Sequence, residues 1–340
     1  MNSIDSLKNS LNTGTLFKPI LGAATQNTLW AEQFSYLWSS AGALLIDVRC
    51  DEQVIRAAKR GIERSGKSTF IIASVSPLEH DAHFLKALVH EQKCTGCGLC
   101  KNFCPHKTIQ IDDGKASVNS NDCRGCGHCV EACPLSAIEL FAPNDTKDYR
   151  DRVKNAINAG ADTIELHVSG MCAPDIKNVL VELSEEIRGI SRNNIPFSIC
   201  VGSLKNSPAD LLNITEMLVQ EFDPNDFLIQ LDGQTMSHGF GKDGLLSLAL
   251  IGLIKSCFPQ IHTLASGGTT EKTWKLAKQL SIPISGVGMG IRSWEIFQQN
   301  SSDTSLKTAN KLFCPFPSMK PETATNGFAG SALTSLKTFS

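Results

Sequence analysis

Eight of the 13 cysteines in this 340-residue chain fall into two runs of one spacing. Cys94, Cys97, Cys100 and Cys104 precede Pro105, and Cys123, Cys126, Cys129 and Cys133 precede Pro134, so each run reads C-x₂-C-x₂-C-x₃-C-P. That spacing suits an iron–sulphur cubane: a tight glycine-containing loop brings three thiolates to neighbouring corners, and the fourth must come from elsewhere. In the paired arrangement the last cysteine of each run serves the other cluster. Cys94, Cys97, Cys100 and Cys133 are therefore assigned to one [4Fe–4S] cluster, and Cys123, Cys126, Cys129 and Cys104 to the second. Pro105 and Pro134 then turn the chain out of the local helix. Structural zinc needs only four ligands, which leaves these runs with a surplus. Disulfides fit poorly with an odd cysteine count and no secretory signal.

The runs lie in an internal duplication with an offset of 29: Ala87 and Val89 repeat as Ala116 and Val118, Gly96 and Gly98 as Gly125 and Gly127, and Ile109 as Ile138. A two-cluster ferredoxin-like unit is expected over 83–142. Around it the chain alternates short apolar strands with helical periodicity. Strands are predicted at Leu16–Leu21, Leu44–Val48, Thr69–Val75, Thr163–His167, Phe197–Val201, Phe227–Leu231, Ile261–Ala265 and Pro283–Val287. Helices are predicted between them, including Asp175–Ile190 and a last one at Ile291–Gln299. Ala41-Gly42-Ala43 and Ala159-Gly160-Ala161 each read as a glycine turn from helix to strand. Eight such units favour an α/β fold, a (β/α)8 TIM-like barrel, over a doubly wound sheet with the same insert. The organisation expected is 1–82 for the first barrel part, 83–142 for the insert, 143–300 for the second barrel part, and 301–340 for a loosely ordered tail. The insert then rises from a βα loop at the barrel's C-terminal face, where active sites sit.

Candidate residues at those strand ends are Asp47, Arg49, Cys50, Glu165, His167, Cys200, Gln230, Asp232 and Ser266. Gly267 and Gly268 after strand seven, with Gly288 and Gly290 after strand eight, suggest a cradle for FMN or another phosphorylated ligand; tight turns alone are the alternative. GIERSGKS at 61–68 matches a phosphate-loop pattern, but a helix precedes it and a strand follows, so it is set aside. Cys50, Cys172, Cys200, Cys257 and Cys314 read as ordinary thiols, and Trp274 and Trp294 as packing. The balance of 32 basic and 34 acidic residues gives no case for nucleic acid, and no apolar run is long enough for a membrane span. The N-terminal segment has neither a secretory core nor a transit-peptide composition, so a cytoplasmic protein is expected.

Ser6-Leu7-Lys8, Gly14-Thr15-Leu16-Phe17-Lys18, the segment Ala41–Val48, the paired cysteine runs and Ala265-Ser266-Gly267-Gly268 together resemble the light-dependent period protein (LdpA) family of cyanobacteria. The resemblance implies an iron–sulphur protein that feeds cellular redox state, and so light intensity, into the circadian clock, with a clock input histidine kinase or another clock-associated protein as partner. The cluster cysteines are the residues that carry over. A flavin-dependent oxidoreductase fed by the clusters is the alternative from another class.

Overall fold

The computed structural model describes residues 3–78, 84–141, 148–202, 205–233, 244–290, 293, 296 and 297. The chain opens with a helix that the sequence reading missed, α1 (Ser3–Asn12), followed by β1 (Leu16–Pro19), α2 (Thr28–Ser40), β2 (Leu45–Arg49), α3 (Glu52–Ser65) and β3 (Phe70–Val75). Asp51 starts α3 by accepting from the amides of Gln53 and Val54, and Gly66, at φ +66°, ends it. Between β3 and α6 (Tyr149–Ala159) lie β4 (Lys86–Val89), α4 (Leu99–Phe103), β5 (Ile109–Asp112), β6 (Lys115–Val118), α5 (His128–Glu131) and β7 (Ile138–Phe141). The alternation then resumes with β8 (Thr163–His167), α7 (Ala173–Glu182), α8 (Ser184–Arg192), β9 (Phe197–Gly202), α9 (Pro208–Glu221), β10 (Phe227–Asp232), α10 (Leu245–Cys257), β11 (His262–Ser266), α11 (Thr273–Gln279) and β12 (Gly286–Met289).

Eight strands form one parallel sheet in the order β1-β12-β11-β10-β9-β8-β3-β2. A single bridge, Ile20 to Asp47, joins its two ends, and the Leu21 amide donates to the Asp47 carbonyl there. The result is a (β/α)8 barrel. Both alanine-glycine-alanine segments form the expected turn: Gly42 and Gly160 have positive φ, and the alanine after each donates back to the helix it leaves, Ala43 to Trp38 and Ala161 to Ala156. The barrel helices pack Trp38, Phe34, Ile55, Ile176, Leu218 and Ile251 against the outer strand faces. On the other face α1 lays Leu7 and Leu11 over Leu16, Leu45, Ile195, Leu228 and Leu264, which plugs the bottom.

Most strand ends fall within one or two residues of expectation, and two departures are larger. The helix read over 175–190 is two, α7 and α8, meeting at Leu183, which is fully buried and leaves helical geometry at ψ 16°. The last strand begins at Gly286 rather than Pro283. Gly286 pairs with Leu16, whose carbonyl oxygen stands 2.2 Å from where a Cβ would lie, so only glycine fits the ladder, and a proline has no N–H to give it. Gly288 consequently sits within β12, not in a loop after it. Most of the helix expected at 291–299, together with Trp294 and residues 301–340 including Cys314, lies outside the described residues.

Candidate functional site

The insert realises its duplication in three dimensions. β5 pairs with β6 and β7 with β4, related by the 29-residue offset. Cys94 Sγ accepts from the amides of Gly96 and Ala116, and Cys123 Sγ accepts from those of Gly125 and Ala87. Gly96 and Gly125, both at positive φ, press on a backbone carbonyl of the opposite half: an added Cβ would lie 2.3 Å from Gly114 O and 2.1 Å from Leu85 O. Each half therefore closes its loop on the other's hairpin.

The cysteines gather in two groups. One cavity is walled by Cys94, Cys97, Cys100 and Cys133, the other by Cys104, Cys123, Cys126 and Cys129. The fourth member of each group comes from the opposite run. Burial, then crowding by Cys123, Cys126 and Cys104, pushes the Cys129 thiol up to about 12, and burial with Cys94, Cys97 and Cys133 raises Cys100. Thiols so packed exist as thiolates only beside cations, which is the environment iron provides. The donor set, four sulphurs per cavity with amides directed at several of them, fits a [4Fe–4S] cluster.

The two cavities differ in their surroundings. The first, which we call distal, includes exposed Cys97. The second, proximal, rests on the barrel. Lys86, 1% exposed, donates to the carbonyls of Ala24 and Cys123. Half-buried Arg124 donates to Leu21 O, Asn27 Nδ2 donates to Asp122 at 2.7 Å, and the Gln26 amide donates to Asn121 O. Burial, with Arg49 and Arg124 nearby, lowers Lys86 to about 8. Burial also works against the Arg124 charge, which a guanidinium keeps at neutral pH.

At the barrel mouth Lys18, fully buried, lies 2.8 Å from Asp47 Oδ2 and 2.5 Å from Glu165 Oε2. Ser74 donates to Asp47, while Ser198 and Gln230 donate to Glu165, and His167 Nε2 stands 3.4 Å from Glu165 Oε1. Burial opposes the Lys18 charge, but the two carboxylates outweigh it and raise its pKa. Asp47 is raised, chiefly by burial and by Glu165, whereas for Glu165 burial is overcome by Lys18 and His167 and its pKa falls. Glu165, His167 and Cys200 place ligand atoms within 4.8 Å of one another. Lys18 already occupies Glu165, and Gln230 donates to Cys200 Sγ at 3.5 Å, so this triad suits an internal network better than a cation. Cys200 is thus a buried thiol within that network, in keeping with its reading as an ordinary thiol.

Above this network is a cavity of about 50 Å³, with Asp47, Ser74, Glu165, His167, Gln230, Asp232, Ser266 and Gly290 in its barrel wall and His106 and Arg124 from the insert. The same His106 and Arg124 wall the proximal cysteine cavity. These two residues were passed over in the sequence reading. Extending the duplication would have marked them, since Thr95 stands where the second half has Arg124, and Leu135 where the first has His106. The suggested phosphate cradle is dispersed: Gly267 and Gly268 precede α11 by several residues, Gly288 is in a strand beneath Gln230, and only Gly290 lines the cavity. A site holding roughly four waters is far smaller than a flavin.

A family model for a 4Fe–4S dicluster domain matches residues 86–134, so the insert is a ferredoxin-type iron–sulphur domain. No curated protein matches the chain. Among solved structures, a Mycobacterium tuberculosis tryptophan synthase chain is similar over 92% of this chain and 95% of its own, with 11% identity and a TM-score of 0.50. GGGPS from Thermoplasma volcanium is similar over 94% and 99%, with 10% identity and a TM-score of 0.46. At such identity the first likeness concerns the barrel fold alone. Among the described residues, no helix is long and apolar enough to cross a membrane.

Proposed function

We propose that the chain is a two-cluster redox protein that carries electrons between an exposed distal [4Fe–4S] cluster and the barrel mouth through a proximal one. Cys94, Cys97, Cys100 and Cys133 hold the distal cluster; Cys123, Cys126, Cys129 and Cys104 hold the proximal one. The observation that carries this reading is that His106 and Arg124 wall both the proximal cysteine cavity and the cavity of the barrel. A change of charge on one side of Arg124 is then felt on the other. The bound clusters supply one-electron chemistry. The chain's own residues exclude water, donate backbone N–H groups to sulphur and place cations beside the proximal set.

In the cell, the role we propose is that implied by the LdpA resemblance, a cytoplasmic redox sensor reporting to a clock input histidine kinase. Differential affinity of that partner for the two redox states is what would make it a signal. Anaerobic purification with iron and sulphide analysis tests the cluster assignment, with about eight of each expected per chain. Paramagnetic resonance of the reduced protein tests the crossing: Cys104→Ser and Cys126→Ser should erase one and the same signal, Cys97→Ser the other. Four irons per chain, or Cys104→Ser erasing the signal that Cys97→Ser erases, would overturn it.

A further inference from the structure

The barrel-mouth cavity has a floor and a roof of opposite character. The floor offers acceptors. Gln230 Oε1, in a side chain only 2% exposed, has no hydrogen-bond partner among the described residues, and Asp232 and Ser266 stand beside it in the lining. The carboxylates of Asp47 and Glu165, also in the lining, are held by Lys18 from below, so they add acceptor oxygens with much of their charge compensated. The roof, contributed by the insert, offers the Arg124 guanidinium and the His106 ring. A buried amide oxygen left without a donor is costly, and a ligand hydroxyl satisfies it. A guanidinium above an acceptor-rich floor suits a carboxylate at the other end of the same molecule. With about 50 Å³ available, the molecule has few atoms, on the order of five non-hydrogen ones.

We propose that this cavity binds a small hydroxy-carboxylate, its acid group on Arg124 and its hydroxyl on Gln230, beside the proximal cysteine set. The redox part of this assignment rests on the cluster reading given above. Ligand and proximal cluster draw on one cation, so each weakens the other's hold when the cluster gains negative charge, and the linkage is reciprocal.

Glycolate is the probe, titrated against the iron-loaded protein while the relaxation of its protons is followed by NMR. Ethylene glycol and ethanolamine serve as neutral and cationic counterparts. Saturable glycolate binding is expected, roughly tenfold weaker in Arg124→Gln, the scale of a lost charge-assisted hydrogen bond. Reduction by dithionite is expected to weaken it several-fold. Gln230→Met, which leaves the insert untouched, should weaken glycolate and ethylene glycol alike and keeps the test open if Arg124→Gln does not fold. Equal binding of ethanolamine, indifference to both substitutions, or no saturation by glycolate overturns the proposal. Iron content and both resonance signals, read on the same sample, separate that failure from failure of the cluster assignment.

Discussion

The two halves of the insert share a sequence pattern and a backbone, yet they face different neighbours. Lys115 and Lys86 are equivalent residues, and each donates to the carbonyl of the first cysteine of the opposite half, Cys94 and Cys123. Lys115 takes its second acceptor, Glu91 O, within the insert and stays exposed; Lys86 takes Ala24 O from the barrel and is buried. One position on, each half closes its glycine loop in the same way. What differs is the side chain beside that loop, Thr95 on the distal side and Arg124 on the proximal side. Duplication thus reproduces the ligand geometry, while differences at a few surface positions give one of the two cysteine groups a barrel to stand on. On the proposed two-cluster reading, Arg124 is a cation that the proximal side has and the distal side lacks at the equivalent position, and such a cation favours the reduced form of the cluster beside it.

Three lysines of one chemistry in three surroundings give this comparison a scale. The largest effect belongs to Lys18, enclosed with two carboxylates in the barrel. Lys18→Met leaves Asp47 and Glu165 buried without their cation and should cost about 3–5 kcal/mol in anaerobic urea unfolding. Burial then raises both carboxyls above their unfolded values, as it already does for Asp47, so the folded variant binds more protons than the unfolded chain. Its stability should recover as pH falls toward the ordinary carboxylate range and decline as pH rises. A deficit that does not change with pH would contradict this account.

Lys86→Met comes next. It strands the buried carbonyls of Ala24 and Cys123 and should cost about 2 kcal/mol, whereas Lys115→Met, at an exposed site, should stay within about 0.5 kcal/mol. Equal effects would show that the barrel contact adds nothing. The smallest difference is kinetic. A ferrous chelator should remove iron from the iron-loaded protein in two phases, the faster one missing in Cys97→Ser, because Cys97 is exposed while Cys123 and Cys129 are buried. A single phase would remove the distinction between distal and proximal.

Much of this fold was readable from local pattern. Short apolar strands bounded by glycine, caps such as Asp51 and the two glycine turns at Gly42 and Gly160 depend on neighbours in sequence, and they located all eight barrel strands. The cysteine grouping was readable because ligand spacing is also local. Gly286 shows where such reading stops: its strand begins there because of the Leu16 carbonyl, some 270 residues away in the chain. Helix α1 was missed because its reason to fold is the barrel bottom that Leu7 and Leu11 cover. Arg124 and His106 were missed because their meaning lies in a contact between two separately read regions. Cys200 is the buried thiol the sequence suggests, and its side-chain contact from Gln230, on the next strand, is likewise a matter of the fold and not of local pattern.

Among the described residues, the bridge at Ile20 and Asp47 is the one place where the first and second strands meet as a sheet, so the barrel has a seam there. The chain just beyond it, from Leu21 to Asn27, is where Arg124, Lys86, Asn121 and Asp122 take hold. The insert works as a clasp across that seam, because on the other side its Phe84 ring lies 5.7 Å from the Arg49 guanidinium carbon at the end of β2. If its own compactness depends on bound iron, then iron supply sets how firmly the whole barrel is fastened, and a chain starved of metal is one whose scaffold opens at a defined edge.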